Sequence, residues 1–203
     1  MTGSRRCFLH AAGVAASYGR ILGANGRIRL GAIGVGGRGS YLVELARKLQ
    51  GVEIVAFADV YQPRLAEARR KLAPDAREYT NYLALLDQKD VDAVIVGAPD
   101  HWHARMTMDA VNAGKDVYVE KPLTHAPEEG APLEQAVRAS GRVVQVGYQQ
   151  RSWPLFLQAR EVFASGVLGK LALVLVSWNQ NYAALDEKAV AVDASLLDWK
   201  AFL

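Results

Sequence analysis

The chain has 203 residues, of which 51% are hydrophobic and 22% are charged, a composition typical of a globular protein with one domain and part of another. Its formal net charge of +3 comes from scattered basic residues, which argues against nucleic acid as a partner. The single cysteine, Cys7, excludes an intramolecular disulfide, and no apolar run approaches the length of a membrane span.

The first 26 residues lack the pattern of a folded domain. A basic pair, Arg5-Arg6, precedes Phe8-Leu9 and a weakly apolar stretch of small residues. This arrangement resembles a twin-arginine export signal, which predicts a periplasmic or otherwise exported protein. The alternative is a disordered basic tail, in which case the protein stays cytoplasmic.

Between residues 27 and 59 the pattern is strand, glycine turn, helix, strand and acid. An apolar run leads into Gly34-Val35-Gly36-Gly37-Arg38-Gly39, and apolar residues at helical spacing follow from Leu42 to Leu49. The second strand ends at Asp59, at the distance where a carboxylate binds a ribose hydroxyl of a bound dinucleotide. The glycines allow a tight turn and a close approach of pyrophosphate to the helix N-terminus. The predicted cofactor contacts here are Gly34, Gly36, Gly37, Arg38, Gly39 and Asp59.

Strands and helices continue to alternate as far as residue 150. Because a helix follows each strand, the connections suit parallel pairing, and we predict an α/β, Rossmann-type doubly wound parallel sheet over 27–150. Ligands of such sheets bind at the carboxyl ends of the strands. Further elements are predicted as helices near 65–72, 82–86, 102–113 and 133–140 and strands near 91–97, 117–119 and 143–146.

Residues 151–203 have a different character and predict the beginning of an incomplete α+β substrate domain. A helix opens at Trp153-Pro154, with Phe156, Ala159 and Phe163 predicted to face inward. A strand is predicted from Leu171 to Trp178, with a polar continuation over 179–182. One helix and one strand bury little surface, so this strand needs partners.

Several side chains at predicted strand ends could carry chemistry. Lys121 lies in Glu120-Lys121-Pro122, where burial or a nearby cation would lower its pKa and Glu120 could orient it; an exposed loop lysine is the alternative. His103 could lie against a cofactor or belong to a helix start capped by Asp100, and His125 could lie near the site or on the surface. Arg151 could bind a polar substrate or form an interdomain salt bridge. No cysteine or acidic cluster supports a metal site.

Three further motifs, together with the glycine turn, resemble those of the Gfo/Idh/MocA oxidoreductases. They are Pro99-Asp100-His101-Trp102-His103 before a helix, Ala113-Gly114-Lys115-Asp116-Val117, and Glu120-Lys121-Pro122. The segment 146–152 and the pair Asp198-Trp199 are similar to the exported branch of that family. The resemblance covers essentially the whole chain.

The resemblance implies an NAD(P)-dependent dehydrogenase that acts on a sugar, cyclitol or related polyol. It implies that Lys121 contacts the reacting hydroxyl. Pro99, His103 and Glu120 are predicted to help bind the cofactor, and Arg151 is predicted to contact the substrate. Asp59 favours NAD because its carboxylate would repel a 2′-phosphate, although Arg64 leaves room for NADP. A homo-oligomer formed through the second-domain sheet is expected for a longer parent.

Two alternatives remain open, an NAD-dependent glycosidase of the same superfamily and a non-catalytic nucleotide-binding fragment. The family's second acid–base residue is usually a histidine of the second domain, but the sequence has no histidine after His125. The sequence therefore predicts weak or absent turnover for these 203 residues.

Overall fold

A computed structural model describes residues 26–177 and 192–203 of the chain. The predicted export signal in residues 1–25, Trp178 and the polar continuation over 179–182 lie outside the described residues. None of the helices in the described part is long and apolar enough to cross a membrane.

Six parallel strands form one sheet with the order β3-β2-β1-β4-β5-β6, so the predicted doubly wound fold is confirmed. The edge strand β3 was not predicted, because its three residues include an arginine and a glutamate and form no apolar run. The strands are β1 (Ile28–Ile33), β2 (Val52–Ala58), β3 (Arg77–Tyr79), β4 (Ala93–Val96), β5 (Asp116–Val119) and β6 (Val144–Val146).

Helices cover both faces of the sheet, and each face has its own hydrophobic core. Successive residues of a strand point to opposite faces, so Ile33 and Val94 belong to one core while Ala32 and Ile95 belong to the other. The helices that follow the first five strands are α1 (Gly37–Ala46), α2 (Gln62–Leu72), α3 (Tyr82–Leu86), α4 (His103–Asn112) and α5 (Gly130–Ser140). Short 3₁₀ helices precede α4 and α5 at Asp100–Trp102 and Pro127–Glu129.

The first turn of helix α1 lies close to the ends of β1 and β4, with backbone against backbone at Gly34, Gly39 and Gly97. Gly34 has φ of +77°, a conformation that side chains disfavour. A Cβ on Gly39 would overlap the carbonyl oxygen of Gly34, and a Cβ on Gly97 would lie 2.8 Å from the Cα of Gly39. The glycine turn therefore brings the N-terminus of α1 close to the carboxyl edge of the sheet.

An ion pair joins the beginning of β1 to the loop before β4. Asp92 accepts hydrogen bonds from the backbone N–H of Arg29 and from two nitrogens of its guanidinium, at 2.8–3.0 Å. This pairing accounts for the one charged residue in the apolar β1 run. Burial of Asp92 opposes its charged form, but the hydrogen bonds and charge of Arg29 outweigh it and hold the pKa of this carboxyl below its usual value.

The described residues fall into two compact units, 26–147 with 196–203, and 148–177 with 192–195. In the second unit, α6 (Pro154–Ala164) follows a 3₁₀ helix at Gln149–Ser152. The prediction that Phe156, Ala159 and Phe163 face inward is wrong, since α6 has no buried residue. The predicted strand is also wrong, because residues 171–177 are exposed and form no regular structure. A strand needs a neighbour to pair with, and the described residues of this unit supply none.

Residues 196–203 belong to the first unit, whereas the sequence pattern predicts them as part of the second domain. They include the one-turn helix α7 (Trp199–Phe202), which Asp198 caps by accepting a hydrogen bond from the N–H of Ala201. The backbone N–H of Asp198 donates to the carbonyl of Val60, directly after β2. This backbone pairing is the reason for the difference, and periodicity in the sequence does not reveal it.

We predict that Asp92→Asn lowers the free energy of unfolding by about 1–2 kcal/mol at pH 7, because it removes charge-assisted hydrogen bonds at a partly exposed site. Because the pKa of Asp92 is lowered in the folded state, its charged form stabilises the protein at pH values above the unfolded-state pKa, about 3.9. This stabilisation is lost as the pH falls through the folded-state pKa. Urea denaturation at pH 7 and at about pH 3 should therefore show the difference from wild type shrinking on acidification.

The matched control is Glu53→Gln, which alters the exposed 3.7 Å pair with Arg27 on the same sheet and should change stability little. Equal stability of Asp92→Asn and wild type at pH 7 would contradict the prediction.

Candidate functional site

A cleft of about 400 Å³ opens at the carboxyl ends of β1, β2 and β4. This is the edge at which ligands bind in doubly wound sheets. The cleft is lined in part by five of the predicted cofactor contacts, namely Gly34, Gly36, Gly37, Asp59 and Pro99.

Asp59 is buried at the end of β2 with its carboxylate turned toward the glycine turn. One carboxylate oxygen accepts a hydrogen bond from the backbone N–H of Val35 and the other accepts one from the N–H of Tyr61, both at 2.9 Å. A carboxylate offers about four acceptor positions, so two bonds leave capacity for ribose hydroxyls. Asp59 thus both fixes the turn and remains able to bind a diol at the cleft wall.

The first turn of α1 fits an anionic group. Gly36 occupies the N-cap position without a side chain, and the turn contains no acidic residue. Its unpaired N–H groups and the positive end of the helix dipole favour a phosphate. Arg64 also lines the cleft, and its guanidinium would lie 3.5 Å from a Cβ placed on Gly36. The residues present therefore fit the pyrophosphate of a dinucleotide.

Arg38 and Glu120 form a salt bridge of 2.8 Å between the glycine turn and the end of β5. Glu120 is buried, and a Cβ on Gly147 would lie 2.8 Å from its Oε1 atom. The suggestion that Glu120 orients Lys121 is therefore corrected, because the buried Glu120 carboxylate bonds Arg38 instead. Neither residue is among those that line the cleft.

Lys121 lies one residue beyond Glu120 and is exposed. The peptide bond between Lys121 and Pro122 is cis. The suggested burial of Lys121 among the described residues is wrong, because the residue is exposed. Lys121 follows the end of β5, on the same edge of the sheet as the cleft, and its role stays a prediction.

His103 is fully buried at the start of α4, where its ring lies between two loops. Its Nδ1 atom is 2.6 Å from the carbonyl oxygen of Pro122, and its Nε2 atom is 2.8 Å from that of Ala98. The imidazole thus connects the loop after β4 to the loop that carries Lys121. The predicted direct cofactor contact is not seen, since His103 is absent from the cleft lining. Nor does Asp100 cap a helix, as the 3₁₀ helix begins at Asp100 itself with no side-chain cap bond.

The aromatic residues that line the cleft were not predicted as site residues from the sequence. The phenol of Tyr82 donates to Asp109 at 2.7 Å, and its ring packs edge-to-face against Trp102 at 6.1 Å. The pKa of Tyr82 is raised, mainly by burial and to a smaller extent by this hydrogen bond. Tyr82 follows the unrecognised strand β3, whereas Trp102 could have been found from its place just after β4.

Two other predicted residues have positions that leave their roles untested. His125 is exposed, and its ring centroid lies 6.5 Å from that of His101. Arg151 is exposed in the 3₁₀ helix of the second unit. Across residues 26–177 and 192–203, no group of three or more His, Cys, Asp and Glu side chains is arranged to hold a metal ion.

Comparisons with known proteins give several similar dehydrogenases. The inositol 2-dehydrogenase of Salmonella typhimurium (strain LT2) is 34% identical over 149 residues, which is 72% of this chain and 44% of that protein. The scyllo-inositol 2-dehydrogenase (NAD(+)) of Bacillus subtilis (strain 168) is 30% identical over 145 residues, covering 71% of this chain and 42% of the relative. The chain thus spans less than half the length of these relatives.

Solved structures agree with this similarity. The myo-inositol 2-dehydrogenase of Lactobacillus plantarum has a TM-score of 0.65 at 30% identity, over 71% of this chain and 43% of the other. The scyllo-inositol dehydrogenase of Lactobacillus casei, with bound cofactor NAD(H) and scyllo-inositol, has a TM-score of 0.65 at 25% identity, with the same coverage. A family model described as "Oxidoreductase family, NAD-binding Rossmann fold" matches residues 28–148. Because that match spans more than half of the chain, the chain belongs to the Gfo/Idh/MocA oxidoreductase family.

Proposed function

We propose that this protein serves the NAD-dependent oxidation of a cyclitol or related polyol, with residues 26–147 holding the cofactor. The observation that carries the proposal is the buried Asp59 carboxylate beside the uncapped first turn of α1, in one cleft. A diol acceptor next to an anion site is what the adenosine ribose and pyrophosphate of a dinucleotide require. The similarity to inositol dehydrogenases supports the substrate class.

In such a reaction, bound NAD supplies the nicotinamide ring that accepts a hydride from the alcohol carbon. The protein must then bind the reacting hydroxyl and remove its proton. We assign the contact with this hydroxyl to Lys121, whose ammonium can hydrogen-bond an alcohol oxygen and stabilise negative charge that develops on it. Arg151 stays a predicted substrate contact.

NAD fits the cleft better than NADP does. Asp59 is buried and bonded to two backbone N–H groups, so its carboxylate is fixed where a 2′-phosphate would be placed. Arg64 supports NADP as an alternative cofactor, because its cation lines the same cleft. Association into a homo-oligomer through the second domain stays a prediction.

The cofactor assignment predicts that Gly36→Val weakens NADH binding by about tenfold or more, since a branched side chain would occupy the space of the pyrophosphate. Gly36 has φ of −65° and ψ of −167°, which a valine can adopt, and its Cβ would only contact Arg64. Titration of NADH fluorescence measures the effect. Gly130→Val, at a glycine with open space around it, is the control and should bind as wild type does. Equal affinity of Gly36→Val and wild type would refute the assignment.

A second prediction concerns turnover: the 203-residue chain should reduce NAD only slowly with inositols and sugars. Positioned acid–base catalysis contributes about 10²–10⁴-fold, and residues 151–203 contain no histidine to complete it. NADH formation would be followed in wild type, Lys121→Ala and Lys89→Ala, the last being an exposed lysine before β4, at the other edge of the sheet. Rapid turnover that Lys121→Ala abolishes and Lys89→Ala preserves would show that the described site is already complete.

We also propose that the protein is exported through the twin-arginine route, on the basis of Arg5-Arg6 followed by Phe8-Leu9. A reporter fused to residues 1–30 should leave the cytoplasm, and its Arg5→Lys/Arg6→Lys variant should remain inside. Cell fractionation measures how much of each reporter lies outside the cytoplasm. Export of both reporters to the same extent would exclude this route.

A further inference from the structure

Residues 196–203, here called the return segment, are attached on one side to the loop after β2. The N–H of Asp198 donates to the carbonyl oxygen of Val60 at 3.0 Å, and Leu197 forms an antiparallel bridge with Tyr61. These contacts lie within two residues of Asp59, whose carboxylate we assign to the ribose. The return segment therefore begins beside the ribose site.

The other end of the return segment is attached to the 3₁₀ helix after β4. The carbonyl oxygen of Phe202 accepts a hydrogen bond from Nε1 of Trp102 at 3.0 Å, and Nε2 of His101 lies 2.8 Å from the same oxygen. The Phe202 ring packs edge-to-face against His101 and Trp199, with centroids 6.2 and 5.6 Å away. The return segment thus spans from the β2 loop to the β4 loop.

Between these two attachments, the return segment contributes to the cleft itself. Asp198, Ala201 and Phe202 line the same cavity as Gly34 and Asp59. Ala201 and Phe202 are partly buried, while the neighbouring Lys200 is exposed and is not part of the lining. One face of α7 is therefore turned toward the cleft.

The part of the cleft next to the return segment has the chemistry of a purine site. Tyr82, Trp102, Met106 and Phe202 line it with aromatic and apolar groups, and Thr80 and Asn81 add polar ones. A flat, largely apolar base with polar edges suits such a compartment, since aromatic side chains pack against bases and small polar groups fix their orientation. The ribose contact, Asp59, lies in the same cavity.

We propose that the return segment forms one wall of the compartment for the adenosine half of the dinucleotide, with Ala201 and Phe202 against the base. The inference rests on the dinucleotide site of the proposed function. It adds a binding element that is remote in sequence from the glycine turn and lies outside the segment 28–148 that carries the family match.

The test is to fill the proposed contact with a large side chain. Ala201→Phe should lower the affinity for ADP-ribose, which lacks nicotinamide, by about tenfold or more. The affinity for NADH should fall by the same factor, since the two ligands share the adenosine half. Lys200→Phe places the same side chain one residue away on the exposed face of α7 and should bind both ligands as wild type does. Isothermal titration calorimetry gives the affinities, and thermal unfolding shows whether each variant is folded.

A second variant keeps the test decisive if Ala201→Phe does not fold. Phe202→Ala removes a ring from the wall but keeps the backbone carbonyl that Trp102 and His101 contact, and it should weaken ADP-ribose binding by about fivefold or more. Unchanged ADP-ribose affinity in a folded Ala201→Phe or Phe202→Ala variant would overturn this inference alone. Failure of the wild type to bind both ADP-ribose and NADH would overturn the dinucleotide site and this inference with it.

Discussion

The contact of backbone against backbone at Gly34, Gly39 and Gly97 is the constraint on which the site depends. Without side chains at these positions, the first turn of α1 lies directly on the ends of β1 and β4. A larger residue at Gly39 would move the helix outward and carry its N–H groups away from the cleft. Asp59 holds the arrangement from the other side, through its hydrogen bond to Val35. Close packing and the anion site are thus consequences of one local geometry.

Much of the first unit could be predicted from the sequence. Most of its strands are apolar runs, and its glycine motif is typical of a dinucleotide-binding turn. The hydrophobic pattern did not predict elements and contacts that depend on a partner far away in the sequence. The edge strand β3 has no apolar run, and the run at 171–177 has no neighbour to pair with among the described residues. The pairing of Glu120 with Arg38 was also not predicted. Glu120 is buried and the adjacent Lys121 is exposed, and motif spacing alone does not reveal this difference.

His103 illustrates the same limit at the site itself. The sequence allowed it to lie against the cofactor or at a helix start, and in the structure it is buried and is not among the residues that line the cleft. Its two ring nitrogens face the carbonyls of Ala98 and Pro122, so the loops after β4 and β5 are held by one buried ring. Together with the pair of Arg38 and Glu120, this leaves the exposed Lys121 on a loop whose base is fixed at two points.

The return segment makes the first unit discontinuous along the chain, because residues 148–195 separate its two parts. During synthesis, the sheet can therefore form well before residues 196–203 join the cleft. Closing the intervening loop has an entropic cost that grows slowly, by about 0.6 kcal/mol for each doubling of loop length. Homologous chains could thus lengthen or rebuild residues 148–195 at little thermodynamic cost to the docking of 196–203, which would let the two parts of the molecule diverge at different rates.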